Sequence, residues 1–232
     1  MIFSKFLKQY CLCCGSAELA QTFLCQLCRV RLQFVAHYAH CLCCSELLFV
    51  EANQSKCGRC LKDPPYFQET HACFIYEALI AHLIQGLKFS GRLQVLPFLV
   101  EEMTEALKKS YGERPFPDLI IPVPLQYSGQ FKRGFNQAHE LGRRLAKNLS
   151  MPYSSLVAHK TQGTQAQARL TKKERVRNLK GHFQIQKMQG VKSVALIDDV
   201  MTTGSTLREL AHALHQAGVE EVHLWVVARA RL

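Results

Sequence analysis

Four apolar residues, Val194 to Ile197, run straight into two adjacent carboxylates, Asp198 and Asp199. Val200 and Met201 follow, and then the glycine-centred run Thr202-Thr203-Gly204-Ser205-Thr206. An unbroken apolar run of this kind, without alternation, makes a strand buried on both faces of a parallel sheet. Asp198 and Asp199 then stand at its carboxyl end, where ligands bind in open α/β sheets. The small hydroxyl residues offer backbone N–H groups and side-chain oxygens that can wrap a phosphate, with the positive end of the next helix beneath them. Phosphate grips below two acids able to hold sugar hydroxyls suggest a phosphorylated ribose. A bare Gly-Ser-Thr turn would carry little information, and the whole run could still be a strand-turn-helix with an acidic turn; its order of residue types is what makes it specific.

The other end of the chain is dominated by sulfur. Cys11 and Cys14, Cys25 and Cys28, Cys41 and Cys44, and Cys57 and Cys60 make four C-x-x-C pairs. Two intervening residues let both sulfurs of a pair face one ion, and two pairs complete the S₄ set of structural zinc. Cys11-Leu12-Cys13-Cys14 recurs as Cys41-Leu42-Cys43-Cys44, which favours two ribbons in series with one Zn²⁺ each. A cross-braced pairing is the alternative. Cys13, Cys43 and Cys73 are left over, the first two as spectators in small apolar turns. Disulfides are disfavoured, because Met1 to Tyr10 carries two lysines and no apolar core of a secretory leader, so a cytoplasmic setting is expected. Sites that close with four sulfurs are structural rather than catalytic.

Length and charge narrow the functions. A chain of 232 residues, 48% hydrophobic, accommodates one medium domain and a small one. No apolar stretch approaches the ~20 residues of a membrane span. The formal charge is +11, and residues 126–180 hold twelve Lys or Arg against Glu140 and Glu174, hence +10 of it. A solvated face would bring acids along with its bases. Their scarcity points to a polyanion: pyrophosphate, nucleic acid, or both. The ten histidines show no metal spacing, and His82, His139 and His212 read as solvated helix positions.

Lys62-Asp63-Pro64-Pro65 reads as a linker, dividing a double zinc ribbon, 1–65, from a larger domain, 66–232. In that domain His71 to Tyr76 is a predicted strand, Glu77 to Phe89 a helix stopped at Gly91, and Leu93 to Lys109 a second helix entered through Pro97. Asp118 to Pro124 is a strand ending in prolines. Asn136 caps a helix running to Leu149. His182 to Ile185 is a short strand, and Val191 to Ile197 the strand before the carboxylates. Thr206 to Ala217 is a helix ended by Gly218, and Val222 to Ala228 the last strand. The alternation implies a parallel, doubly wound α/β sheet.

Asp198 to Thr206 resembles the phosphoribosyl pyrophosphate (PRPP) signature of the type I phosphoribosyltransferases. Ile121-Pro122-Val123-Pro124-Leu125, Lys132-Arg133-Gly134-Phe135-Asn136-Gln137 and Leu87-Lys88-Phe89 with Gly91 widen the match, as do Thr164, Gln167, Leu170, Glu174-Arg175 and Asn178. Together with the ribbon they resemble the competence protein F family across nearly the whole chain. Lys160 stands where the family commonly has an arginine, and Gln162 replaces another frequent basic residue.

The resemblance implies a type I phosphoribosyltransferase fold and a role in natural transformation, where imported single-stranded DNA is handled in the cytoplasm. A competence helicase or uptake protein is an implied partner. Asp198 and Asp199 would hold the ribose hydroxyls, and Val200 to Thr206 would form the phosphate loop. Pro124 and Leu125 would border the pyrophosphate, with Mg²⁺ bridging its oxygens and Arg133 offsetting its charge. Arg133 could equally pair with a surface acid, and Lys88 could simply favour a helix end. Lys132, Arg169, Lys172, Lys173, Arg175 and Arg177 are the candidate contacts to single-stranded DNA, and Phe131 and Phe135 could stack bases or pack in the core. The resemblance leaves open whether phosphoribose is transferred to an acceptor, as in purine salvage or other nucleotide metabolism, or whether PRPP is only a ligand.

Overall fold

A computed structural model describes residues 10–17, 23–48, 55–125, 134–160 and 183–231. Its elements in chain order are α1 (Gln26–Arg29), α2 (Gly58–Lys62), β1 (Glu69–Ile75), α3 (Ala78–Ser90), α4 (Leu96–Tyr111), β2 (Leu119–Pro122), α5 (Gln137–Leu149), β3 (Ala158–Lys160), β4 (Phe183–Ile185), β5 (Ser193–Met201), α6 (Ser205–Gln216) and β6 (Glu221–Arg229).

The main sheet has the order β1-β6-β5-β2, and every neighbouring pair is parallel. Parallel neighbours require crossovers, and the helices supply them on both faces. Side chains of the strands alternate between the faces with period two. Ile120, Ala195, Ile197, Trp225 and Val227 join the cluster that contains α3, α4 and α5. Leu119, Ile121, Val194, Leu196, Leu224 and Val226 join the cluster with α6. The apolar runs of β2, β5 and β6 are thus buried on both sides, as unbroken runs require. This is the parallel, doubly wound α/β sheet expected from the sequence. β3 and β4 pair antiparallel in a small separate sheet.

Local signals set several boundaries. The Asn136 Oδ1 accepts hydrogen bonds from the N–H groups of Ala138 and His139, the N-cap expected of it. Gly91 ends α3 in the left-handed conformation, at φ 61°. The helix expected from Leu93 begins as a 3₁₀ turn over Leu93–Val95 and becomes α4 at Leu96, with Pro97 in its first turn, where no N–H is needed.

The cysteine-rich segment packs onto the sheet domain rather than around a core of its own. Cys11, Leu24, Cys25 and Cys28 are buried with Phe74, Leu83 and Leu99 on the α3–α4 face. Cys41, Cys43, Cys44 and Cys60 are buried with Leu207, Leu210 and Val226 on the α6 face. Among the described residues no helix is long and apolar enough to cross a membrane.

Candidate functional site

The carboxyl end of β5 organises the site. β5 does not stop at Ile197, the boundary expected from the apolar run. β6 continues to Arg229 and offers partners, so Asp198 pairs with Val226, Val200 with Ala228 and Met201 with Arg229. Met201 does not face a ligand: it is buried, and its carbonyl accepts from the Ala230 N–H at 3.0 Å and the Arg229 Nη1 at 3.0 Å. It supports the Thr202–Thr206 loop from below. Gly204 sits directly over it at φ 73°, a left-handed conformation that demands glycine; a Cβ there would also meet the Met201 Cε at 2.5 Å, which that flexible side chain could yield.

Asp198, Asp199, Val200, Thr202 and Thr206 line a cavity of about 500 Å³, together with Lys88, Lys160 and Gln137. The Lys88 Nζ lies 2.8 Å from the Asp199 Oδ1. Lys88 ends α3, and its interaction is with this carboxylate across the crevice, so the helix-end reading is insufficient. The Asp198 Oδ1 accepts the N–H of Asp199 at 2.8 Å. Burial within the strand end, then the neighbouring Asp199 charge, push the Asp198 carboxyl up to about 7. Burial pushes the Lys160 ammonium down. The Gln137 Nε2 is buried without a hydrogen-bond partner, an unmet donor in a residue lining this cavity. The cavity therefore combines two cations, two carboxylates and free donors, the set a phosphorylated sugar needs.

The loop beyond is open. Thr202, Thr203 and Ser205 are exposed and Thr206 half-buried, with the Thr203 Oγ1 3.1 Å from the Ser205 Oγ at the start of α6. Pro124 and Leu125 border the cavity and also a second one of about 620 Å³, which shares Asn136 and Lys160 with it. Arg133, Lys132, Phe131, Arg169, Lys172, Lys173, Arg175 and Arg177 lie outside the described residues. Within the described part of the basic segment, Glu140 is 3.5 Å from Arg143 and 3.3 Å from Arg144, so those charges are locally offset.

Cys11, Cys14, Cys25 and Cys28 form one group, and Cys41, Cys44, Cys57 and Cys60 another, with the sulfurs in each within 4.8 Å of one another. The pairing is in series, not cross-braced. Sγ separations of 3.6 Å for Cys14–Cys25 and Cys44–Cys57 far exceed an S–S bond of about 2 Å. They match the edge of a tetrahedron with Zn–S bonds of about 2.3 Å. Each group could therefore hold one zinc. Cys13, Cys43 and Cys73 stand outside both groups.

Three sets of contacts were not assigned from the sequence, although Lys88 and Gln137 lie within the family motifs. Arg229 is a buried charge whose guanidinium reaches the carbonyls of Cys44, Met201 and Thr202 and the carboxylate of Glu46. Lys88 and Gln137 enter the cavity from helices far from β5 in sequence. His71 and His223, expected to be without metal partners, meet at Glu69. His139 and His212 are also engaged, the first 2.7 Å from the Tyr153 hydroxyl and the second against the Tyr66 ring.

Residues 129–231 match the phosphoribosyl transferase domain family. The chain is 33% identical over 223 residues to competence protein F of Haemophilus influenzae, covering 94% of this chain and 95% of that one. It is 32% identical over 222 residues to the DNA utilization protein YhgH of Escherichia coli, covering 89% and 96%. Among solved structures, an adenine phosphoribosyltransferase aligns over 62% of this chain and 74% of its own, at 17% identity and a TM-score of 0.38.

Proposed function

Because the chain belongs to the competence protein F family, we propose that it binds PRPP with Mg²⁺ and handles imported single-stranded DNA in the cytoplasm during transformation. The observation that carries the ligand reading is the convergence of Lys88, Gln137, Lys160, Asp198, Asp199, Thr202 and Thr206 on one cavity. Asp198 and Asp199 accept hydrogen bonds from the two ribose hydroxyls. The Thr202 to Thr206 amides and hydroxyls receive the 5′-phosphate at the head of α6. Pro124 and Leu125 border the pyrophosphate, whose charge Lys160 and Arg133 offset. Lys88 must leave Asp199 for the ribose to reach it, and is then free to meet the pyrophosphate. Mg²⁺ suits this site because it keeps most of its waters and needs few protein carboxylates. Calorimetry tests the reading: Mg²⁺-dependent PRPP binding in wild type, lost in the Asp198→Asn/Asp199→Asn double variant. Equal affinity in the two proteins would leave the carboxylates a structural role only.

Single-stranded DNA contacts fall to Lys132, Arg169, Lys172, Lys173, Arg175 and Arg177, which support the reading by composition and by the family's link to DNA use. Phosphate contacts release counterions, so affinity falls as salt rises. Changing Lys172, Lys173 and Arg175 to Gln flattens the log–log salt slope by about 2, at ~0.7 per lost single-strand contact. Anisotropy titrations at several salt concentrations, with and without PRPP, check this. No binding at low salt would leave a role only through a partner such as a competence helicase or uptake protein. The two cysteine groups serve as structural zinc sites.

One observation favours transfer as well as binding: the adjoining cavity of about 620 Å³ shares Pro124, Leu125, Asn136 and Lys160 with the first, leaving room for an acceptor. Release of pyrophosphate with a nucleobase or nucleoside acceptor would establish the transferase. Its absence across an acceptor panel, with binding intact, leaves PRPP a ligand.

A further inference from the structure

Glu69 and His71 are alternate residues of β1 and so project from one face of the sheet. The register sets Glu69 opposite His223 of β6. One carboxylate oxygen thereby meets two imidazoles: the Glu69 Oε1 lies 3.1 Å from the His71 Nε2 and 2.9 Å from the His223 Nδ1. These spacings are close to the ~3.3 Å edge of a tetrahedron with metal–nitrogen and metal–oxygen bonds of about 2.0–2.1 Å. The trio lies at the amino ends of β1 and β6, at the opposite end of the sheet from Asp198, and is independent of the PRPP site.

The surroundings hold the donors in place as a metal site requires. The His71 Nδ1 is 2.8 Å from the Ser110 Oγ, which turns Nε2 toward Glu69. That Nε2 is buried and, although near the carboxylate, makes no well-directed hydrogen bond with it. The His223 Nε2 is 3.6 Å from a Glu221 oxygen, so the far nitrogens of both rings have oxygen neighbours. The Tyr111 hydroxyl stands 2.6 Å from the His223 Nδ1 and accepts the Trp225 Nε1–H at 3.2 Å. Arg114 donates to both Glu69 oxygens, at 3.3 Å to Oε1 and 3.4 Å to Oε2, and must yield Oε1 to an ion; its side chain is 54% exposed. A cavity of about 300 Å³ lined by His71, Ser110 and Lys109 lies against the His71 side of the trio.

We infer that Glu69, His71 and His223 form a third metal site, for a divalent cation of the borderline class such as Zn²⁺, with one position left to water beside Tyr111. Two imidazoles select against Mg²⁺ and Ca²⁺, and three protein ligands leave a coordination site open, unlike the closed cysteine sets. The ion would tie the edge strand β1 to β6 and to the end of α4.

The test starts from full-length protein carrying two cysteine-bound zincs after dialysis against a mild chelator. Calorimetric titration with Zn²⁺ is expected to show a third equivalent that raises the thermal midpoint of wild type. Co²⁺ added to the same two-zinc protein is expected to give weak visible bands without thiolate charge transfer. His71→Gln and His223→Gln lose the third equivalent and the bands but keep two zincs by elemental analysis, which certifies their fold. Glu69→Gln, nearly the same shape, weakens the third site at least tenfold. Wild type that stops at two equivalents overturns the site, as do histidine variants that still take up a third.

Discussion

The two cysteine groups repeat one sequence pattern and are put to different structural use. The first, Cys11 to Cys28, packs on the face of α3 and α4 and leaves Cys14 exposed. It is tied down by the Arg92 Nη2 donating to the Leu12 carbonyl at 2.6 Å, and by Arg29 pairing with Glu102 of α4 at 2.9 Å. The second, Cys41 to Cys60, lies on the opposite face, with Cys41 and Cys44 fully buried. Its ties run to the Met201–Thr206 loop, the proposed PRPP loop. Arg229 joins the Cys44 carbonyl to the carbonyls of Met201 and Thr202, at 2.9, 3.0 and 2.5 Å. Arg208 of α6 reaches the Asp63 carboxylate at 3.1 Å and the Cys60 sulfur at 3.9 Å. A repeat thus yields one anchor for the helical layer and one brace for the phosphate loop.

The largest separation is expected from the metals. A structural zinc contributes on the order of 10 kcal/mol of apparent binding free energy to the module that holds it. Cys44→Ser should release one zinc, lower the thermal midpoint and reduce PRPP affinity more than tenfold. Cys14→Ser should also release one zinc but leave PRPP affinity within about twofold, since the ties of its group among the described residues run to the α3–α4 layer. Elemental analysis and calorimetry on both variants decide it. Matching losses of PRPP affinity would erase the asymmetry.

Next in size is the brace itself. Removing one partner of a buried ion pair leaves the other uncompensated, at a cost of about 3–5 kcal/mol. Arg229→Gln also withdraws donors from four carbonyls, those of Cys44, Met201, Thr202 and Ala230, so urea unfolding should register a loss in that range. PRPP affinity should fall while both zincs remain bound. Glu46→Gln should cost less, because Arg229 keeps its carbonyl contacts. If Arg229→Gln frees the second zinc without weakening PRPP, the arginine serves the cysteine group alone.

Titration of Asp198 probes the loop end of that brace. Its folded pKa, about 7, is above the unfolded 3.8. Its contribution to folding is therefore fully present below about 3.8 and is lost as pH rises through about 7, so the PRPP-free protein should weaken across that window. Ribose hydroxyls need the ionised carboxylate. PRPP affinity should consequently rise about tenfold per pH unit below 7 and level off above it. Asp198→Asn should flatten both profiles, measured by thermal melts and calorimetry from pH 5 to 9. First-cluster variants should leave both profiles unchanged.

What could be read in advance was what is local in sequence. The C-x-x-C spacing and the Asn136 cap each act within a few residues and appear in the fold as expected, and the carboxylates do follow the apolar run, although inside the strand. The pairing of the knuckles needed the repeat as well as the spacing. Lys88 and Gln137 lay within motifs, but their place in the cavity with Asp199, like the bonds of Arg229 to Met201 and Thr202, was not legible, because register and crossover geometry bring them there over long separations. His71 and His223 meet by the same route: Glu69-x-His71 is a same-face pair only once it is a strand, and His223 becomes its neighbour only through the β1–β6 register. The strand end at Ile197 was misplaced because an apolar run marks burial, whereas the ladder continues wherever a neighbour offers N–H and C=O groups.

The smallest effect belongs to the first cluster's anchor and is the sharpest check on the contrast. Arg92 is half-buried, donates to the Leu12 carbonyl, and lies against Gly86 so closely that a Cβ there would meet its Cδ at 2.9 Å. Arg92→Ala removes one charge-assisted hydrogen bond and some packing, about 1.5–3 kcal/mol where the partner stays buried, and less here because water can reach the carbonyl. The expected result is a loss of about 1 kcal/mol in urea unfolding and faster zinc release from Cys11–Cys28 to a chelator. PRPP affinity should stay as in wild type, since Arg92 touches neither the loop nor the carboxylate pair. A fall in PRPP affinity as large as that of Arg229→Gln would mean that the first group also reaches the site, through α3 and Lys88, and that the two repeats share one task.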